Sequence, residues 1–190
     1  DPALVGFLFP GHSDELITTD FSVFDERWEI EAQHSQSLTP SLRAVWGGSG
    51  RLDRVGGNGW YGRDDLIESQ LVRAFGNLEW HAYAQGKVNL GTMYEHSSQV
   101  GNQLSPRIAL NHQLTENHGI RTSLSRAYRL PTLYEDKADG AVRFGDGQLI
   151  DQYILGNTEL DPEQITSLEF GYLGRLPDQP FTGRGQITAG

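Results

Sequence analysis

The chain has 190 residues, with 15 Lys and Arg against 25 Asp and Glu, a formal net charge of −10 and no cysteine. The missing cysteine excludes a disulfide framework, a thiolate metal site and a cysteine nucleophile. Without a basic run, a nucleic-acid partner is disfavoured, because phosphate binding needs clustered Lys and Arg. No stretch of 18 apolar residues exists, so no transmembrane helix is expected. A transmembrane β-barrel stays open, since its strands are only half apolar. The 23 glycines are dispersed, which suits many turns and strands. The start at Asp1-Pro2, with neither a Met nor a signal peptide, reads as an internal cut from something longer.

Residues 1–20 read as an outer loop or irregular lead-in, and 21–190 as strands with long loops at 53–66 and 130–162. In 22–38, Trp28, Ile30 and Ala32 oppose Arg27, Glu29 and Glu31. A shorter strand follows at 42–52. In 68–83, Val72, Ala74, Leu78, Trp80 and Ala82 oppose Arg73, Asn77, Glu79 and His81, and 64–72 is the one place with room for a helical turn. The alternation recurs at 88–97 (Val88, Leu90, Thr92, Tyr94), 105–115 (Ile108, Leu110, Leu114) and 119–128 (Ile120, Thr122, Leu124, Tyr128). It closes with 165–175 (Leu168, Phe170, Tyr172) and a partial strand at 182–189. Period two means strands, and about eight of them.

Short connections are expected at 39–41, 84–87, 116–118 and 177–180, and long ones at 53–66, 98–104 and 130–162. Tight turns at one end and long loops at the other are the habit of outer-membrane barrels. The fold class read from this is all-β: an antiparallel up-and-down meander forming part of a large transmembrane barrel. A soluble sandwich alternates in the same way but has less reason to keep its long loops on one end. His34, His96, His112 and Arg126 fall on the apolar parity. A cation costs about 2–4 kcal/mol at the bilayer midplane and about 0–1 near an interface. These four are therefore expected at the rims, or else the register slips.

Four elements go beyond pattern: Ser105-Pro106-Arg107, Tyr128-Arg129-Leu130-Pro131, Asn157 through Leu160 to Pro162-Glu163, and Glu169-Phe170-Gly171-Tyr172. In order and spacing they resemble the C-terminal half of the barrel of TonB-dependent outer-membrane receptors. The match is good over 105–176 and only general over 20–100. The resemblance implies a barrel of about 22 strands with a plugged lumen, of which this chain supplies part of the wall. It implies a Gram-negative outer-membrane location and lipid around the wall. The remainder of the barrel and its plug would be partners, with TonB reached through the plug rather than through this segment. It also implies energy-coupled uptake of a scarce metal chelate, an iron–siderophore complex by default. Exposed edges would make the isolated piece self-associate. Haem receptors of the family carry a histidine between the two motif elements, and 132–156 has none. Glu163 and Glu169, with Arg107, Arg121 and Arg129, are expected to pair structurally across the lumen.

No catalytic residue, cofactor or metal site is expected. Glu29 and Glu31 read as a solvated or lumenal face, Ser123 and Ser125 lack a nucleophile elbow, and the six histidines keep no ligand spacing. Asp136, Asp139, Asp146 and Asp151 have the density of a Ca²⁺ loop but not its spacing, and read as a polar loop. The ligand-binding candidates are Arg51, Arg54, Trp60, Tyr61 and Arg63 in the first long loop, joined by Arg143 in the second. Guanidinium plus aromatic groups suit an anionic, partly aromatic ligand, or equally a loop packing on its neighbours. The competing functional reading is a soluble carbohydrate-binding module stacking sugars on Trp60, Tyr61 and Trp80.

Overall fold

The computed structural model describes residues 20–175, the backbone of 186–189, and positions 7, 8 and 11. His12 and the short connection expected at 177–180 lie outside the described residues. The elements are β1 (Phe24–Thr39), β2 (Leu42–Gly56), α1 (Asn58–Tyr61), β3 (Ile67–Tyr83), β4 (Gly86–Ser97), β5 (Gly101–Thr115), β6 (His118–Arg129), α2 (Leu133–Lys137), β7 (Asp139–Arg143), β8 (Leu149–Leu155), β9 (Glu163–Arg175) and β10 (Gln186–Ala189). Eight strands form one sheet in the order β1-β2-β3-β4-β5-β6-β9-β10, and β7-β8 form a separate hairpin. From β3 through β6, β9 and β10 each neighbouring pair is antiparallel, as is the β7–β8 hairpin. The all-β meander is thus the fold.

Three boundaries differ from expectation. β2 runs on to Gly56, absorbing the first residues of the 53–66 loop. The 98–104 loop shrinks to residues 98–100, because Gly101 at φ 74 turns the chain tightly into β5. The helical turn sits at 58–61 rather than in 64–72, where Ile67, Ser69 and Leu71 bury alternately as a strand requires.

The chain divides into two compact units, a loop unit of 1–28, 52–69 and 131–161, and a wall unit of 29–51, 70–130 and 162–190. In the loop unit Val55, Tyr61, Ile67 and Leu133 form a small core, with Trp60 packed against it.

The wall unit buries little apolar surface; among its described residues only Ala44, Leu71 and Ala109 are buried hydrophobics. Its apolar side chains instead line up across strands on one exposed face. One row is Leu78, Leu90, Ile108, Leu124 and Leu168; the next is Trp80, Val88, Leu110, Thr122 and Phe170. Their large apolar members stay substantially open, Phe170 at 67% and Leu168 at 63%. Exposed apolar rows this extensive require an apolar covering. Towards the tight turns the rows end on Tyr83, His112, Ile120 and Tyr172, where the Tyr83 hydroxyl meets His112 Nδ1 at 3.0 Å and His118 Nδ1 meets the Tyr172 hydroxyl at 2.5 Å. Towards the long loops they end on Tyr94, Leu104, Tyr128 and Gln164. From Ile120 to Tyr128 the register runs unbroken, and at 3.4 Å per residue and a 35–45° tilt this spans about 20 Å along a barrel axis. That is close to the apolar band of an outer-membrane barrel, and each bounding row carries two tyrosines, as its interfaces favour.

The opposite face is polar. Arg73 Nε donates to Glu95 Oε1 at 2.8 Å, Lys87 Nζ to Glu79 Oε1 at 3.2 Å and Ser123 Oγ to Glu169 Oε2 at 3.0 Å. At its tight-turn end is a concavity of about 500 Å³ bordered by His81, Lys87, Asn111, Gln113, Arg121 and Gly171.

Candidate functional site

The first long connection is shaped by Gly57, Gly59 and Gly62. α1 is a single turn closed by Tyr61 N–H to Gly57 O at 2.9 Å and Gly62 N–H to Asn58 O at 2.9 Å. The segment around Asp20 crosses directly over it, so that a Cβ on Gly59 would lie 1.9 Å from the Asp20 carbonyl oxygen. Only glycine permits that approach. The crossing delivers Phe21 to Trp60, whose Nε1–H donates to the Phe21 carbonyl at 2.9 Å.

Four rings then meet. Trp60 lies 6.4 Å from Phe21, 6.1 Å from Tyr134 and 6.3 Å from Tyr153, and Phe21 lies 5.7 Å from Tyr153. The Tyr153 hydroxyl donates to the Gly59 carbonyl. Three of the rings keep open area: Phe21 at 54%, Tyr134 at 42% and Tyr153 at 40% exposed. Edge and tilted contacts of this kind leave ring faces available for stacking. Tyr61 differs from the rest of its candidate set, because it is buried and belongs to the loop's own core. Burial, helped by the Asp25 charge, holds its phenol above the usual tyrosine range.

Arg54 and Arg63 are occupied. Arg54 Nε donates to Glu68 Oε1 at 2.7 Å and its Nη1 to Glu26 Oε2 at 3.5 Å. Arg63 Nε donates to Asp65 Oδ1 at 2.6 Å, and this bond keeps the Asp65 carboxyl below its ordinary range. Arg51 is half-buried within β2, and Arg143 is exposed at the end of β7. An anion must displace carboxylates to reach Arg54 or Arg63, whereas the rings are open already. Phe21, Tyr134 and Tyr153 were not among the sequence candidates; a contact such as Trp60 to Phe21, 39 residues apart, leaves no mark on local pattern.

The second long connection is structured. Thr132 caps α2 in a full capping box: Glu135 N–H donates to Thr132 Oγ1 at 3.1 Å and Thr132 N–H to Glu135 Oε2 at 2.8 Å. Asp139–Arg143 and Leu149–Leu155 form the β7–β8 hairpin. The excursion returns when Gly156 N–H bonds Ala138 O at 2.6 Å and Asn157 N–H bonds Glu135 O at 2.9 Å. Of its aspartates, Asp136 is buried beside Lys137, Asp139 accepts from Gln152, and Asp146 accepts from the Gln148 N–H. Among the described residues no group of His, Asp or Glu is arranged to hold a metal ion.

Several motif residues bond within the chain. Arg129 grips Glu163 with two bonds of 2.9 and 2.8 Å, and the Tyr128 hydroxyl donates to Gln164 Oε1 at 3.0 Å. This clamp joins the two residues that flank the 130–162 excursion. Pro131 is buried, Leu160 and Pro162 are half-buried, and Asn157 Oδ1 caps the Glu159 N–H at 2.9 Å. The structural pairing expected of Glu163 with Arg129 is present, though between adjacent strands rather than across a lumen. Arg129 and Glu163 are hydrogen-bonded neighbours in register, and Glu169 takes a serine hydroxyl. Arg107 and Arg121 carry no ion pair among the described residues. Ser105 is half-buried with its Oγ unsatisfied, and Pro106 is exposed.

An antiparallel sheet with one apolar and one polar face, its apolar rows bounded at each end by a row that carries two tyrosines, is the wall of a transmembrane β-barrel. The chain belongs to the TonB-dependent receptor family: the family model "TonB dependent receptor-like, beta-barrel" matches residues 6–190. It is 32% identical to the ferric enterobactin receptor of Pseudomonas aeruginosa over 85 residues, covering 43% of this chain and 11% of that protein. It is 24% identical to the ferrienterobactin receptor of Escherichia coli K12 over 173 residues, covering 84% of this chain and 22% of that protein. In fold it resembles the siderophore receptor PirA from Pseudomonas aeruginosa, with a TM-score of 0.72 at 16% identity, covering 82% of this chain and 30% of that one. The chain therefore spans under a third of the length of these relatives.

Proposed function

We propose that these residues form wall and outer loops of an outer-membrane receptor for energy-coupled uptake of an iron–siderophore complex, with a catecholate as the siderophore class. TonB acts on this receptor through its plug and not through this segment, and the work is transport rather than catalysis. The observation that carries the reading is the open aromatic cluster of Phe21, Trp60, Tyr134 and Tyr153, presented by connections whose ends are fixed. Flat aromatic rings stack on a catecholate's own rings. The likeness to enterobactin receptors supports the same cargo class. A sugar-stacking module finds less support, since Tyr61 is buried in the loop core.

The test uses the full-length protein as its gene encodes it. It should fractionate with outer membranes and bind ferric enterobactin saturably, with quenching of tryptophan fluorescence. Tyr134→Ala should weaken that binding about 3- to 10-fold, the worth of one aromatic contact. A soluble protein after fractionation, or binding unaltered by a Trp60→Ala/Tyr134→Ala double variant, would overturn the reading.

A further inference from the structure

Arg126 stands on the wrong face for a cation. Its register partner is Thr166, one row inside Tyr128 and Gln164 and one row outside Leu124 and Leu168. The register runs without a shift from His118 to Arg129, so a local slip does not rescue it. On the five strands β3, β4, β5, β6 and β9, the rows from Trp80–Phe170 up to Tyr94–Tyr128 contain no other charged residue. The polar face has ion pairs; Arg126 is exposed and has none among the described residues.

Its own row is unusually shallow. Gly76 pairs with Thr92, Thr92 with Pro106, and Pro106, the residue before the Arg107–Ser125 pair, falls level with Arg126. Small side chains thus form a notch between a Leu-rich row and a Tyr-rich one. Beyond the Tyr row the same face turns polar, where Asn102 Oδ1 accepts from the Tyr94 hydroxyl at 2.8 Å and lies 2.7 Å from His96 Nδ1. A guanidinium in this notch has an aliphatic stem among apolar neighbours and a head within reach of the polar boundary. What it lacks is an anion, and these rows of the five strands supply none.

We propose that Arg126 and the notch of Gly76, Thr92, Pro106 and Thr166 form a docking site for a phosphate-bearing membrane lipid at the long-loop boundary of the wall. A headgroup phosphate takes two N–H bonds from the guanidinium, while the acyl chains run down the Leu78–Leu168 and Trp80–Phe170 rows. The occupant is a lipid rather than a soluble anion, because only a lipid covers the apolar rows and neutralises the cation together. The inference rests on the membrane-wall reading above.

The experiment takes the full-length receptor in detergent, strips it of lipid and titrates it with phosphorylated lipid A and with lipid A from which the phosphates have been removed. Wild type should prefer the phosphorylated form by about fivefold or more, the worth of one basic residue at a lipid surface. Arg126→Gln should abolish the preference, and Arg126→Lys should retain part of it. Inorganic phosphate at the same concentration should not compete; competition would assign the site to free anions and overturn the lipid. Equal binding of the two lipids by wild type, or an undiminished preference in Arg126→Gln, overturns it as well. A wild type that fails to fractionate with membranes instead sinks the wall reading, and Arg121→Gln, on the opposite face, reports any general loss of charge.

Discussion

Introducing arginine at three neighbouring positions of β9 tests which face meets lipid and how deep each row lies. Leu168 sits in the middle row, two rows from Tyr172 at one rim and two from Gln164 at the other, and its side chain is 63% exposed in the chain alone. Leu168→Arg places a cation at the midplane and should cost about 2–4 kcal/mol, a factor of roughly 30 to 700 in the folding equilibrium. Gln164→Arg, at the girdle, should cost about 0–1 kcal/mol. Ser167→Arg, adjacent in sequence but on the polar face, should stay within about 0.5 kcal/mol. The assay is urea unfolding of the full-length protein in phospholipid vesicles, followed by tryptophan fluorescence. Equal penalties at the three sites would refute the depth assignment. A larger penalty for Ser167→Arg than for Leu168→Arg would turn the wall inside out.

Gly59→Ala should expel the Asp20 segment from α1, since its Cβ would meet the Asp20 oxygen at 1.9 Å; overpacking of this kind costs about 1–3 kcal/mol, read as faster hydrogen exchange at Trp60 and Tyr61. Gly50→Ala, where nothing lies within 4 Å, should leave exchange unchanged. Arg129→Ala should cost only about 0–1 kcal/mol globally, because both partners are exposed; limited proteolysis within 131–162 should nonetheless accelerate, and unchanged cleavage would deny the clamp its role. Tyr61 should be among the last tyrosines to ionise in an ultraviolet titration, because burial raises its folded-state value above its unfolded one. The folded state then holds the proton longer, so this stabilisation is complete below about pH 10 and declines as pH rises through the folded value. Tyr61→Phe should remove that decline.

The wall was legible because a sheet buried on one face and wet on the other writes its structure every second residue. Val72 to Trp80, Ile108 to Leu110 and Leu168 to Tyr172 each declared a face, and the register aligned those faces until the shifts next to the tight turns, at His81/Tyr83 and Gln113/Thr115. The loop unit was less legible. β7 has only five residues and pairs with β8 through two register shifts, so its alternation is too short and too broken to read. α2 did carry a local signal, the Thr132-to-Glu135 capping box, which the strand pattern around it obscured. The ring cluster carried none. Phe21, Trp60, Tyr134 and Tyr153 come from three stretches of chain joined only by tertiary contact.

Under the proposed uptake reading, the residues that identify the family and those that would face a ligand are different sets, for a physical reason. Arg129 is spent on Glu163, Glu169 on Ser123, Asn157 on its own turn, and Pro131 on burial. Each fixes where a strand ends and where an excursion leaves or returns, so any change costs the frame. The interiors of the excursions are held by Gly59, the α2 cap, the β7–β8 hairpin and a small core, while Tyr134 and Arg143 stay exposed. A frame held by pairs at its exits would, on the proposed reading, let one wall serve more than one chelate. Discrimination between siderophores should therefore follow the four rings and not the motif, and grafting 132–156 from a relative onto the Arg129–Glu163 clamp should carry ligand preference with it.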